Sequence, residues 1–380
     1  MEDRDRFESR SGWRCVLATL LLVASLAGTG ISLAADELRV GVYYFPGWRD
    51  HVLGNGSPTP WRAIHAYPER EPLLGWYDDG NVANVDRQLG WMAEYGIRFV
   101  VLDWYWNRDL GVLQSQTLTA YLKAPNRTRV PIALLWANHT EAPRDRADFA
   151  AMVTRWIESF RHPEYFRVDG RPVIFVFSTA MLEQRAQAFG ASARELLESA
   201  RSAARRAGIG ELFIVGGAGA FDPTPLRAAT GASTGYDAFS AYNYNGPGTH
   251  AYADGHTDSH SFRELTEGYS DQWRWMLSQP RVSFVLPMSA GWDRRPWGGS
   301  DDPQHDDSRP TPAAFAAHLR EGRDSLLRNA SRTHGLGVIC CWNEFGEGSY
   351  IEPTQRDQFE YLSAVRDVFG VAGNQQGTAP

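Results

Sequence analysis

From residue 38 onward the chain alternates between two hydrophobic rhythms. Short, continuous apolar runs rich in Val, Ile and Phe lie at 38–45, 97–106, 130–138, 172–177, 212–216, 238–244, 283–289 and 336–342. Such runs, with no polar face, predict strands covered on both sides. Between them apolar residues recur every three or four positions, as in a helix with one buried stripe. The segment 82–95 carries Val85, Leu89 and Met92 on that stripe, and 144–160 carries Phe149, Val153, Trp156 and Phe160. One long helix is predicted over 182–207, and others over 262–277, 312–329 and 356–368, with a short one at 225–229. Eight strands alternating with helices predict a single (β/α)8 TIM barrel with long loops on its C-terminal face. A doubly wound sheet is the competing architecture. It needs a glycine-rich phosphate turn after the first strand, which Gly41 and Gly47 do not make, and Pro46 disfavours the helix start.

The first 35 residues break this rhythm. Arg10 and Arg14 precede an apolar run over 16–27, and Ser32, Leu33 and Ala34 fit a small-residue cleavage site. That pattern predicts an export signal over 1–35, cleaved near Ala34 and Ala35, and a periplasmic or secreted product. The apolar run is short for a membrane span, so no membrane association is expected after cleavage. Residues 36–370 form the predicted catalytic domain, and the Gly- and Gln-rich 371–380 a frayed tail. Cys15 falls in the leader. Cys340 and Cys341 remain, and adjacent cysteines on a strand point to opposite faces, so both are read as unbridged strand residues.

Composition narrows the function. A net charge of -7 gives no basic footprint for nucleic acid. The 14 Trp and 15 Tyr suit the faces of sugars and equally fill cores. Barrel enzymes build their sites at the C-terminal strand ends. Here those ends read Tyr43-Tyr44, Asp103-Trp104-Tyr105-Trp106, Trp136-Ala137-Asn138-His139, Tyr242-Asn243-Tyr244, Gly291-Trp292-Asp293 and Trp342-Asn343-Glu344. Unpaired polar groups at buried strand ends cost free energy, so a ring of them around one mouth points to a polar ligand. Glu344 and Glu347 follow the last strand three residues apart. Both reach one pocket only if the chain turns after Glu344, which Gly346 and Gly348 permit. Paired carboxylates of this kind serve glycosidic cleavage, one protonating the leaving oxygen and the other assisting at the anomeric side. The competing reading is an ion pair from one Glu to Arg294 or Arg295.

The string Trp342-Asn343-Glu344-Phe345-Gly346-Glu347-Gly348 resembles the N-E-W-x-E-G signature of the family 99 glycoside hydrolases, the endo-α-mannosidases and endo-α-mannanases. It is equally similar to the related WbsX-type proteins of polysaccharide gene clusters. Tyr43-Tyr44-Phe45-Pro46, Val101-Leu102-Asp103-Trp104-Tyr105 and the stretch from Gly291 to Trp297 extend the likeness. Asp103 stands where the mannosidases tend to have Ser, and Gly346 where they often have His. Ala137-Asn138-His139 lacks the family's acidic pattern. The resemblance implies cleavage with retention and no protein nucleophile. Glu344 would take the proton of the sugar 2-hydroxyl, which attacks the anomeric carbon, and Glu347 would act as acid and then base. It also implies an α-linked, mannan-like oligosaccharide or polysaccharide as substrate. The alternatives are a WbsX-like glycosyltransferase or polysaccharide-assembly protein, and a non-catalytic glycan-binding barrel.

The substrate-binding set expected around the catalytic pair is Tyr44, Asp103, Trp104, Tyr105, Asn138, His139, Tyr242, Asn243, Trp292, Asp293 and Asn343, with no cofactor. His250, His256 and His260 among Asp254 and Asp258 match no metal-ligand template and are read as a solvated loop. Asp301, Asp302, Asp306 and Asp307 around His305 are read as an exposed acidic loop, not a calcium site. Both loops and the segment 49–79 are expected to rim the mouth.

Overall fold

A computed structural model describes residues 38–50, 59–141, 143–220, 234–244, 252 and 255–370. The leader, the short helix expected at 225–229, His250, Asp254 and the tail lie outside the described residues. Eight parallel strands form the barrel: β1 (Arg39–Tyr44), β2 (Phe99–Asn107), β3 (Ile132–Trp136), β4 (Arg171–Val176), β5 (Phe213–Gly217), β6 (Ala238–Ser240), β7 (Leu286–Ser289) and β8 (Leu336–Cys340). They run in sequence order round the sheet, with β8 beside β1. A parallel bridge between Phe239 and Phe284 carries the ring from β6 towards β7 and all but closes it. This is the (β/α)8 barrel that the sequence predicts.

The helices packed outside are α1 (Val82–Glu94), α2 (Arg146–Phe160), α3 (Thr179–Ala188), α4 (Ala193–Arg206), α5 (Phe262–Ser278), α6 (Pro312–Arg328) and α7 (Glu360–Phe369). The long helix expected over 182–207 is two. Gly190 takes a positive φ of 71°, and a reciprocal cap between Ser192 and Glu195 starts α4 anew.

Strand alternation divides the apolar residues into two layers. Phe99 and Val101 of β2, Ala133 and Leu135 of β3, and Val173 and Phe175 of β4 fill the interior. Val100, Leu102, Trp104 and Trp106 of β2 pack outward under the helices with Ile132, Leu134 and Trp136. Gly41 faces inward because a Cβ there would lie 2.3 Å from the Phe99 ring. A third cluster joins Trp48, Trp61, Ile64 and Tyr77 to Phe345 and Tyr350, so part of the expected rim segment is packed against the chain just past β8.

Cys340 and Cys341 depart from expectation. They are joined as a disulfide, with a cis peptide between them and Cα atoms 2.9 Å apart. The opposite-face rule assumed a continuous trans strand; here both side chains belong to the interior layer.

Candidate active site

Past β8 the chain forms a small hairpin in which Asn343–Glu344 pairs antiparallel with Ser349–Tyr350. Glu344 ends the first arm and Glu347 lies in the turn, where its N–H donates to the Glu344 carbonyl at 3.2 Å. Gly348 adopts φ 65°, and a Cβ there would meet the Asp293 backbone at 2.9 Å. Gly346 is small for a different reason. A Cβ would lie 2.1 Å from the Trp297 ring, which excludes the side chain that the mannosidases often carry there.

Four other residues surround this pair. Inward-facing Asp103 and the Tyr242 hydroxyl lie 3.0 Å apart, and the same hydroxyl lies 2.8 Å from Glu344 Oε1. Tyr105, also inward on β2, feels the charges of Asp103, Glu344 and Glu347. Tyr43 packs on Tyr242 with ring centroids 4.7 Å apart. Asp103 is 5% exposed and Glu344 5%. The second oxygen of each, Asp103 Oδ1 and Glu344 Oε2, finds no hydrogen-bond partner among the described residues. Burial, then the charges of Glu347 and Asp103, push the Glu344 carboxyl well above its usual range, against the Tyr242 hydrogen bond. Burial likewise raises Asp103 well above its ordinary value. Glu347 is pushed up to about 7 by burial, with the Arg294 charge opposing. Glu347 is half-buried, and a carboxyl titrating near neutrality there can both donate and accept a proton.

The structure thus brings together Asp103, Tyr105, Tyr242, Glu344 and Glu347. It redistributes the other expected residues. Trp104 faces outward, nearly parallel to Trp106 at 6.0 Å and edge-on to Trp156 of α2 at 6.3 Å, so it belongs to the helix-facing core and not to the mouth. The alternation that points Asp103 and Tyr105 inward requires this. Tyr44 also faces out, 2.9 Å from Gln88 of α1; inward Tyr43 stands in its place. Asn343 exchanges hydrogen bonds with both backbone groups of Phe45, which ties β1 to the hairpin. Asn138 does the same for Ser178 at the end of β4. His139 is exposed at the rim, its ring centroid 4.2 Å from that of Phe177. Asn243 bonds the Tyr269 hydroxyl and, at 3.2 Å, Ser289 Oγ. Trp292 stacks on His305 and donates to Ser300 Oγ at 2.9 Å.

Asp293 braces the hairpin. Its N–H donates to the Glu347 carbonyl at 2.7 Å. Burial would raise its carboxyl, but Arg295 and Arg70 hold it below its ordinary value. Arg295 is therefore engaged with Asp293, at 2.6 Å. Arg70, 1% exposed, was not singled out in the sequence. It reaches Asp293 Oδ2 at 2.5 Å and the Phe345 carbonyl at 2.6 Å, clamping the turn that carries Glu347. No local pattern marks it, because its partners lie more than two hundred residues away.

The acidic loop after β7 is only partly exposed. Asp306 is buried and accepts from the N–H groups of Arg294 at 2.8 Å and Ser300 at 3.0 Å, so it shapes the loop. His256 and His260 of the loop after β6 and Glu264 in the first turn of α5 offer ligand atoms within 4.8 Å of one another. The two imidazoles are stacked at 3.9 Å and 6°, so their in-plane lone pairs do not converge. Asp302 takes the His260 Nε2 contact at 2.7 Å.

The profile of the family described as Glycosyltransferase WbsX matches residues 58–365. The chain belongs to the WbsX family. A curated relative, the uncharacterized protein WxcX of Xanthomonas campestris pv. campestris strain B100, is 26% identical over 344 residues, which cover 81% of this chain and 46% of that protein. The chain thus spans about half the length of the curated relatives it matches. Among solved structures, a glycoside hydrolase-like protein superposes with TM-score 0.64 at 15% identity, covering 89% of this chain and 95% of that one. The family 99 endo-α-mannosidase from Bacteroides thetaiotaomicron, in complex with bis-tris-propane, superposes with TM-score 0.61 at 13% identity, covering 87% and 96%. At these identities the likeness to this WbsX-family chain is one of fold.

Proposed function

We propose that this chain is an exported glycoside hydrolase that cleaves an α-linked, mannan-like glycan with retention. The observation that carries the reading is the pair of carboxyls on the β8 hairpin, Glu344 held by Tyr242 and Glu347 poised near neutrality. Glu344 removes the proton from the sugar 2-hydroxyl, and that oxygen forms a bond to the anomeric carbon. The bond to the leaving oxygen breaks, and Glu347 supplies its proton. Water then attacks the anomeric carbon, the bond from that carbon to O2 breaks, O2 recovers its proton from Glu344, and the water gives a proton to Glu347. Each carboxyl returns to its starting protonation state. The Arg70–Asp293 clamp fixes the turn on which Glu347 sits, and Tyr105 and His139 offer polar edges to sugar hydroxyls.

The WbsX family description favours a second reading, sugar transfer to a growing polysaccharide. One experiment separates the two. The purified chain is incubated with α-mannan and other α-linked glycans, and new reducing ends are measured. The same chain is offered sugar-nucleotide donors with glycan acceptors. The hydrolase reading expects reducing ends from wild type and about a hundredfold fewer, or less, from Glu344→Gln. Transfer from a donor without hydrolysis would replace it.

A further inference from the structure

The Tyr242 hydroxyl has one hydrogen and two carboxyl neighbours, Asp103 Oδ2 at 3.0 Å and Glu344 Oε1 at 2.8 Å. A hydroxyl can donate to only one of them. If both carboxyls were ionised, one contact would set lone pairs against each other in a buried site, an arrangement of high cost. Both contacts are bonds only if one carboxyl carries a hydrogen and donates it to the Tyr242 oxygen. We propose that Asp103 is that group: a neutral carboxylic acid that donates to Tyr242, so that the single tyrosine hydrogen is aimed at an ionised Glu344. Asp103 is then a positioning residue acting through Tyr242. This rests on the proposed role of Glu344 as base, which requires it to be ionised, and the shorter contact is the one to Glu344.

The surroundings agree. Tyr105, on the same strand as Asp103, supplies no positive charge, and the charges acting on this centre are those of Asp103, Glu344 and Glu347. Arg294 is the cation that acts on Glu347. Burial favours the neutral form of Asp103, against the Tyr242 hydrogen bond. The residue also has a consequence for substrate. With Oδ2 protonated, Asp103 Oδ1 is a neutral carbonyl-type acceptor without a partner among the described residues. It suits a sugar hydroxyl as donor, where an ionised carboxylate would compete with Glu344 for the same proton.

The test does not need turnover. Infrared difference spectra of the whole chain, wild type minus Asp103→Asn at neutral pH, should show one protonated-carboxyl band fewer in the variant. Asp79 and Glu352 do not interact with Asp103 and cancel. Glu344, raised as well, is told apart by Glu344→Gln, which keeps the band if Asp103 holds the proton and loses it if Glu344 does. An unchanged protonated-carboxyl signal would overturn the proposal whether or not the chain hydrolyses glycans. A second readout uses activity. Asn keeps an N–H facing Tyr242, whereas Leu fills the space without one. Asp103→Leu should lose about twofold to tenfold more in kcat than Asp103→Asn, the scale of one hydrogen bond between neutral groups. Equal losses in the two variants, with the infrared band behaving as expected, would place the proton on Asp103 but remove its positioning role. Absence of any glycan cleavage by wild type with the band present would sink the hydrolase reading alone.

Discussion

Two clusters of buried carboxyls flank the end of β8, and they differ in one respect. Outside the barrel, Glu352 and Asp79 lie among Tyr44, Tyr77, Gln88 and Gln116. Glu352 accepts from Gln88 Nε2 at 2.9 Å and from the Tyr77 hydroxyl at 2.7 Å. Asp79 accepts from the Trp48 N–H at 2.9 Å and from Gln116 Nε2 at 3.1 Å. Every carboxyl oxygen there has a donor. In the mouth, Asp103 and Glu344 share one hydroxyl and leave an oxygen each without a partner among the described residues. Burial raises the pKa in both clusters, to about 8 for Glu352 and about 7 for Asp79. A raised pKa therefore does not distinguish a site from a brace in this molecule. Between these two clusters, unsatisfied carboxyl oxygens do, since a ligand can supply their donors.

The comparison breaks most sharply on catalysis. Glu344→Gln and Glu347→Gln should each slow glycan cleavage by about a hundredfold or more, the scale of positioned acid–base groups. Glu347→Gln should spare an activated aryl leaving group in part, while Glu344→Gln should slow both substrate types alike. Rates on matched aryl and alkyl glycosides measure this, and full activity in either variant would remove the mouth cluster as the site.

Next comes Trp104, set by alternation in the helix-facing core. Trp104→Ala should destabilise the fold by about 3–5 kcal/mol, as for a fully buried aromatic. Denaturant unfolding checks it; unchanged stability with weakened glycan binding would return Trp104 to the mouth. A smaller effect is expected at the outer cluster. Tyr77→Phe leaves Glu352 Oε2 without its donor and should cost about 1–3 kcal/mol of stability. Its kcat should stay near wild type, and a large fall would place Glu352 in the site.

A further effect is in the pH dependence of stability. Glu347 titrates near 7 when folded and near about 4.3 when unfolded. Between those values the native chain keeps a proton that the unfolded chain has released, so this group's contribution is full below the lower value and is lost as pH rises through the upper. Glu347→Gln should therefore gain in Tm relative to wild type between about pH 4.5 and 7. A constant Tm difference across that window would contradict the raised pKa of the half-buried Glu347.

The barrel was legible because continuous apolar runs and 3.6-residue stripes each have one structural meaning. The carboxyl pair on the β8 hairpin was legible because two carboxylates and two glycines follow one strand. The split of the helix at Gly190 was hidden by a helix-forming composition on both sides. Trp104 and Tyr44 were misplaced because a strand end was read as a unit, whereas alternation sends neighbours to opposite faces. Arg70 and the Tyr77–Glu352–Gln88 set had no local signal, since their meaning lies in partners far along the chain.

The central claim is that Glu347 is the proton donor, tuned by burial on the β8 hairpin. The pH dependence of kcat/KM on an unactivated α-linked glycan, for wild type and Glu347→Gln, tests it most directly. The account predicts a wild-type profile that falls above about pH 7, where the free enzyme loses its acid, and a Glu347→Gln profile of low activity that lacks this limb. The same limb persisting in Glu347→Gln would assign the proton to another group and contradict the account.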